Sequence, residues 1–127
     1  MLGSARLQTI IWTARKAEAA RFYGEVLGLR LVGESHGALV YDVGGGELRV
    51  SPVPSTAPSP HTVVGFAVPD ADAVMESLAA RGVEPERFPG FPHEANGVWQ
   101  APDGARVGWF RDPDGNLLSV VRYARGA

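Results

Sequence analysis

The sequence predicts an α+β fold: two tandem β-α-β-β-β modules forming a curved mixed sheet with an open trough. Three observations predict it. A β-favouring run is followed by a helical period and a closing glycine; the same order returns about 55 residues later; and a proline-rich stretch lies between the copies.

In the first copy, residues 7–12 are β-favouring, and residues 17–27 change period. Phe22, Tyr23, Val26 and Leu27 fall beside Ala19 at helical spacing, while Glu18, Arg21 and Glu25 take the other side. Gly28 stops the helix, because glycine enters the left-handed cap conformation without a Cβ clash. Strands are predicted at 30–34, 38–43 and 47–53, punctuated by His36-Gly37 and Gly44-Gly45-Gly46.

Residues 52–60 hold four prolines among Ser, Thr and Ala, which rules out a central strand or a helix interior. A strand then follows at 62–68, with Asp70 as cap of a helix carrying Val74, Met75 and Leu78, and Gly82 as its stop. Further strands are predicted at 83–88, 97–101, 105–111 and 117–123, joined by Pro102-Asp103-Gly104 and Asp112-Pro113-Asp114-Gly115. The chain is therefore expected to be a single domain over 1–127: module one at about 6–53, a linker at about 54–61, and module two at about 62–124.

Composition excludes several partners. Twelve Lys and Arg against fourteen Asp and Glu give a net charge of −2 with no basic tract, so neither nucleic acid nor an anionic membrane is an expected partner. No apolar run approaches the ~18 residues of a spanning helix, and the start lacks a signal-peptide core. With no Cys, the expectation is a cytoplasmic protein without disulfides. A cysteine nucleophile is absent, no Ser stands in a nucleophile motif beside His36, His61 or His93, and the glycine triplet lacks the Lys of a phosphate loop.

Two motifs carry a family resemblance: Arg21-Phe22-Tyr23 followed by Val26-Leu27-Gly28-Leu29, and Phe110-Arg111-Asp112-Pro113-Asp114-Gly115-Asn116. With the repeat, they resemble the vicinal oxygen chelate superfamily, which contains glyoxalase I, extradiol dioxygenases, fosfomycin resistance proteins and bleomycin-binding proteins. The resemblance spans residues 7–123 and implies the fold above.

It also implies four trough-facing positions, one on the first and one on the last strand of each module, where metal-dependent members carry His, Gln or Glu. Here they fall on Gln8, on or beside Arg49, on Val63 and on Ser119. A guanidinium has no lone pair to give, and neither valine nor serine is a useful divalent-metal ligand. The expected cofactor is therefore none. The alternative is one divalent ion held by a displaced set of Gln8, Glu47 and His61, since residues two apart on a strand share a face.

Period two places Ile10 and Trp12 beside Gln8 on the trough face and turns Thr9, Ile11 and Thr13 toward the helix. Trp99, Trp109 and the aromatic loop at 88–93, which includes Phe91, add stacking surface and a candidate lid. Arg49 is a candidate for a ligand anion, while Arg111 is expected in an ion pair, with Glu47, Asp42 or Asp112 as the acids weighed for the two.

The expected ligand-binding residues are Gln8, Trp12, Arg49, Phe91, Trp99, Trp109 and Ser119, with no assigned catalytic residue. The sequence points to a metal-independent protein of the bleomycin-resistance type that captures an aromatic or amphipathic small organic ligand. The alternative is a glyoxalase-like lyase or isomerase. A homodimer is expected in either case.

Overall fold

A computed structural model describes residues 1–124. The chain divides into two compact units, Met1–Pro58 and a second beginning at Ser59. Each unit contains one four-stranded mixed sheet and one helical segment. No helix is long and apolar enough to cross a membrane.

The first unit runs β1 (Gln8–Thr13), α1 (Lys16–Arg21), β2 (Arg30–Ser35), β3 (Ala38–Val43) and β4 (Gly46–Pro52), in the sheet order β1-β4-β3-β2. The short turns at His36-Gly37 and Gly44-Gly45 make β2, β3 and β4 antiparallel neighbours. β1 is separated from them by a helical crossover and pairs parallel with β4.

The predicted first helix is shorter than its periodicity suggests. After α1 the chain widens into a π-helical turn, Phe22–Val26, in which the Leu27 N–H donates to the Phe22 carbonyl at 2.8 Å. The widened turn lets two consecutive rings, Phe22 and Tyr23, both bury. They meet edge to face at 5.2 Å, and Tyr23 lies 6.0 Å from Tyr41 of β3. Ile11, Leu39, Leu48 and Val50 complete this core, and burial holds the Tyr41 hydroxyl above the usual tyrosine pKa.

The second unit repeats the plan with β5 (Thr62–Ala67), α2 (Ala71–Ala80), β6 (Trp99–Gln100), β7 (Arg106–Arg111) and β8 (Leu117–Arg122), in the order β5-β8-β7-β6. β5 again pairs parallel with the last strand. Asp70 caps α2 by accepting the Ala73 N–H at 3.0 Å. Met75 and Leu78 of α2 are buried with Phe110, Leu118 and Val120 of the sheet.

Two strand expectations are corrected. Residues 83–88 form no strand: Pro85 within the segment and Pro89 just after it lack donors, and among the described residues its single backbone tie to the sheet is Glu86 N–H to the Trp109 carbonyl at 2.8 Å. The strand predicted at 97–101 shrinks to Trp99–Gln100. Gly97 has a φ of +90°, and a Cβ there would stand 2.4 Å from the Pro85 side chain, so the chain turns where a strand would need extended backbone.

Gly108 sets how closely α2 approaches the sheet. A Cβ at this position would lie 2.5 Å from Met75 Cγ and 2.6 Å from its sulfur. We expect Gly108→Ala to lower unfolding stability by about 1–3 kcal/mol, read as a lower urea midpoint, because overpacking forces the helix or Met75 to shift.

Candidate functional site

Each sheet has one face under its helical segment and one face turned away from it. On β1 the alternation is plain: Ile11 and Thr13 are 4% and 1% exposed, whereas Ile10 and Trp12 are 54% and 61% exposed. Gln8, Ile10 and Trp12 thus share the uncovered face, as the period-two reading expects. In register with them on β4 stand Glu47, Arg49 and Ser51.

The polar groups of this face are mostly committed to one another. Gln8 Nε2 donates to the Glu47 carboxylate at 2.6 Å. Asp42 accepts from Arg30 at 3.0 Å and lies 3.6 Å from Arg6. Arg49 pairs with neither carboxylate weighed for it; its guanidinium donates to the Ser35 carbonyl at 2.9 Å.

On the second sheet, Gly65, Ser119 and Trp109 lie in one row across β5, β8 and β7. Ser119 Oγ occupies space left by Gly65, where a Cβ would come within 3.0 Å of it. Val63 falls in an irregularity of the β5–β8 ladder, between Thr62 and Val64.

Beside Ser119 is an aromatic surface. Phe91 stacks on Trp99 with centroids 4.8 Å apart and 17° between planes, and it lies 6.2 Å from Trp109. Phe88 meets Trp109 edge to face at 5.1 Å. The structure therefore gathers Phe91, Trp99 and Trp109 into one patch with Ser119 in register, and separately gathers Gln8, Trp12 and Arg49 on the first sheet.

The loop that carries Phe91 is held by its backbone. His93 Nε2 accepts the Phe88 N–H at 2.9 Å, which leaves Nδ1 as the protonated nitrogen, and Nδ1 donates to the Gly97 carbonyl at 2.7 Å. Arg87 forks onto the Glu94 and Ala95 carbonyls at 3.0 and 2.8 Å. The loop expected as a lid is thus fastened across itself.

A second fastening joins loop, sheet and helix. Arg106 of β7 donates twice to Asp72 at 2.7 Å, and also to the Glu94 carboxylate and Gln100. Sequence reasoning missed this network, whose partners lie up to 34 residues apart, and the roles of Arg87 and His93, whose partners are main-chain groups that carry no residue signature. Arg111 is ion-paired, but with Glu86 at 3.0 Å rather than Asp112. Asp112 instead accepts the Asp114 and Asn116 N–H groups in its turn.

The four positions implied to hold a metal thus present an amide donating to a carboxylate, a guanidinium, an isopropyl group in a ladder irregularity and a hydroxyl. This set does not suit a divalent ion. Of the displaced set, Gln8 and Glu47 bond each other, while His61 is an exposed residue of the second unit. Among the described residues, no three His, Cys, Asp or Glu come together to hold a metal.

A family model, Glyoxalase/Bleomycin resistance protein/Dioxygenase superfamily, matches residues 6–120. The chain belongs to this superfamily. Solved structures share the architecture of the chain at low identity. A lactoylglutathione lyase from Agrobacterium tumefaciens is 19% identical, with a TM-score of 0.72 over 94% of this chain and 93% of that one. A glyoxalase/bleomycin resistance protein/dioxygenase from Nocardioides is 22% identical, with a TM-score of 0.68 over 95% and 84%. The virulence protein STM3117 from Salmonella typhimurium is 19% identical, with a TM-score of 0.70 over 98% and 100%. No curated protein matches the chain in sequence. At these identities the likenesses establish the glyoxalase-type fold and not a shared activity.

The Asp72–Arg106 pair gives a pH prediction. Hydrogen bonds from Arg106, with a smaller contribution from Asn96, outweigh burial and lower the Asp72 pKa to about 2; Arg106 also lowers Glu94. A depressed carboxylate stabilises the fold above its unfolded pKa of about 3.9 and loses that effect as pH falls through the folded value. With 32% of the Asp72 side chain exposed, solvent screening reduces the contribution to about 1–2 kcal/mol. Urea melts should show Asp72→Asn less stable than the parent by that amount at neutral pH, with the gap closing from about pH 4 toward pH 2.

Proposed function

We propose that this superfamily member is a metal-independent small-molecule binding protein of the bleomycin-resistance type, capturing an aromatic or amphipathic organic ligand without transforming it. The observation that carries this reading is the aromatic patch of the second sheet, where Phe91, Trp99 and Trp109 lie within 4.8 to 6.2 Å of one another on a fastened loop and strand pair. Each aromatic contact adds about 0.5–1.5 kcal/mol beyond area burial, and a surface already held in place loses little entropy when a ligand stacks.

The residues proposed to meet ligand are Gln8, Trp12, Arg49, Phe91, Trp99, Trp109 and Ser119. No metal is assigned to the site, since the superfamily's ligand positions carry Arg49, Val63 and Ser119. The protein is proposed to work in the cytoplasm and as a homodimer. Leu31 and Val32, 51% and 58% exposed on the edge strand β2, support pairing with a second copy. Light scattering should then give twice the 13.5 kDa chain mass, and a monomer at micromolar concentration would remove the dimer from this reading.

Tryptophan fluorescence titrated with a bleomycin-type glycopeptide, a mitomycin-type quinone and polycyclic aromatic compounds tests binding. Saturable quenching is expected, weakened about tenfold or more in Trp99→Ala, in line with the loss of a central stacking ring. Unchanged affinities in Trp12→Ala and Trp99→Ala would refute the aromatic surface. Retention of one Zn, Ni, Mn or Fe(II) ion per chain, lost in Gln8→Ala, would replace this reading with a glyoxalase-like lyase or isomerase.

A further inference from the structure

Arg49 is the least compensated charge on the uncovered face of the first sheet. Among the described residues it has no carboxylate within ion-pair distance, and its single hydrogen bond is to the Ser35 carbonyl at 2.9 Å. It is half-buried, in register between Ile10 and Val40. A guanidinium carries five N–H donors, so most of this fork has no protein acceptor.

The same face carries three arginines, Arg6, Arg30 and Arg49, against two carboxylates, Asp42 and Glu47. Asp42 is shared by Arg6 and Arg30, and the Glu47 carboxylate is bound to the neutral Gln8 amide. Glu47 stands two residues from Arg49 on the same face, a separation of ~6–7 Å. The face therefore has an excess of one positive charge, centred on Arg49, with a carboxylate close enough to oppose a second negative charge.

Apolar surface lies directly beside that charge. Ile10 is the register partner of Arg49, and Trp12 lies one step further along the same face, both more than half exposed. A cation anchored to a backbone carbonyl, with an exposed indole one strand step away, matches a ligand that has one anionic end and one planar or apolar body.

We propose that this face selects singly charged organic acids, with the ligand carboxylate on Arg49 and its ring system against Ile10 and Trp12. The proposal rests on the small-molecule reading above and narrows its ligand class. Neutral analogues lose the charge-assisted bonds, cationic analogues meet a like charge, and dianions such as phosphate monoesters are opposed by Glu47.

Isothermal titration of the full chain with four probes sharing one ring system tests it: 2-naphthoate, 2-naphthamide, 2-naphthylmethylamine and 2-naphthyl phosphate. Naphthoate should bind about tenfold or more tighter than the isosteric amide, with the amine weakest. Arg49→Gln should bring naphthoate to the level of the amide, and Glu47→Gln should improve the phosphate more than the carboxylate. Arg49→Lys keeps the charge and should retain part of the preference, which guards against a folding defect in the glutamine variant. Equal binding of acid and amide by the parent protein would overturn the acid selectivity while leaving the small-molecule reading intact. A preference that survives in Arg49→Gln would overturn the assignment to this residue. Failure of all four probes, together with the wider panel, would overturn both.

Discussion

A single helical segment shields one side of a four-stranded sheet and leaves the other uncovered, and strand geometry divides every side chain between those sides. That constraint organises the molecule. Ile11, Leu48 and Val50 bury because they alternate toward the helical side, and for the same reason Ile10, Trp12 and Arg49 cannot join them. The parallel pairing of first and last strands, β1 with β4 and β5 with β8, places the candidate ligand residues in adjacent rows. A one-residue slip of either pair would exchange core for surface.

Most of this frame was legible in the sequence. Repeated helix stops, the proline-rich divider and the alternation along β1 rest on local backbone preferences that neighbours do not overturn. The errors have specific causes. Residues 83–88 read as a strand because Val83 and Phe88 are β-favouring, yet Pro85 and Pro89 cannot supply ladder donors. The π-helical turn at Phe22 was not legible, because the need to bury two adjacent rings arises only once Tyr41 and the sheet are in place.

The candidate site was legible in its residue types and less so in its arrangement. Trp99, Trp109 and Phe91 were singled out as stacking surface, but their mutual contact depends on the fastening of residues 88–97 by Arg87, His93 and Arg106. Those three residues act on backbone carbonyls, a backbone amide and distant carboxylates, none of which leaves a sequence signature. For Arg49, the sequence showed a cation where the family positions want a donor of electron pairs. It did not show that Glu47 would turn to Gln8 and leave the guanidinium on a carbonyl.

The way the aromatic loop is tied down separates the atoms that support it from the rings it displays. His93 and Arg87 grip main-chain atoms, and the rings of Phe88 and Phe91 take no part in those bonds. Replacing either ring would change the aromatic surface without unfastening the segment that displays it. Such a layout makes the displayed rings exchangeable one side chain at a time, with the main-chain platform beneath them left in place.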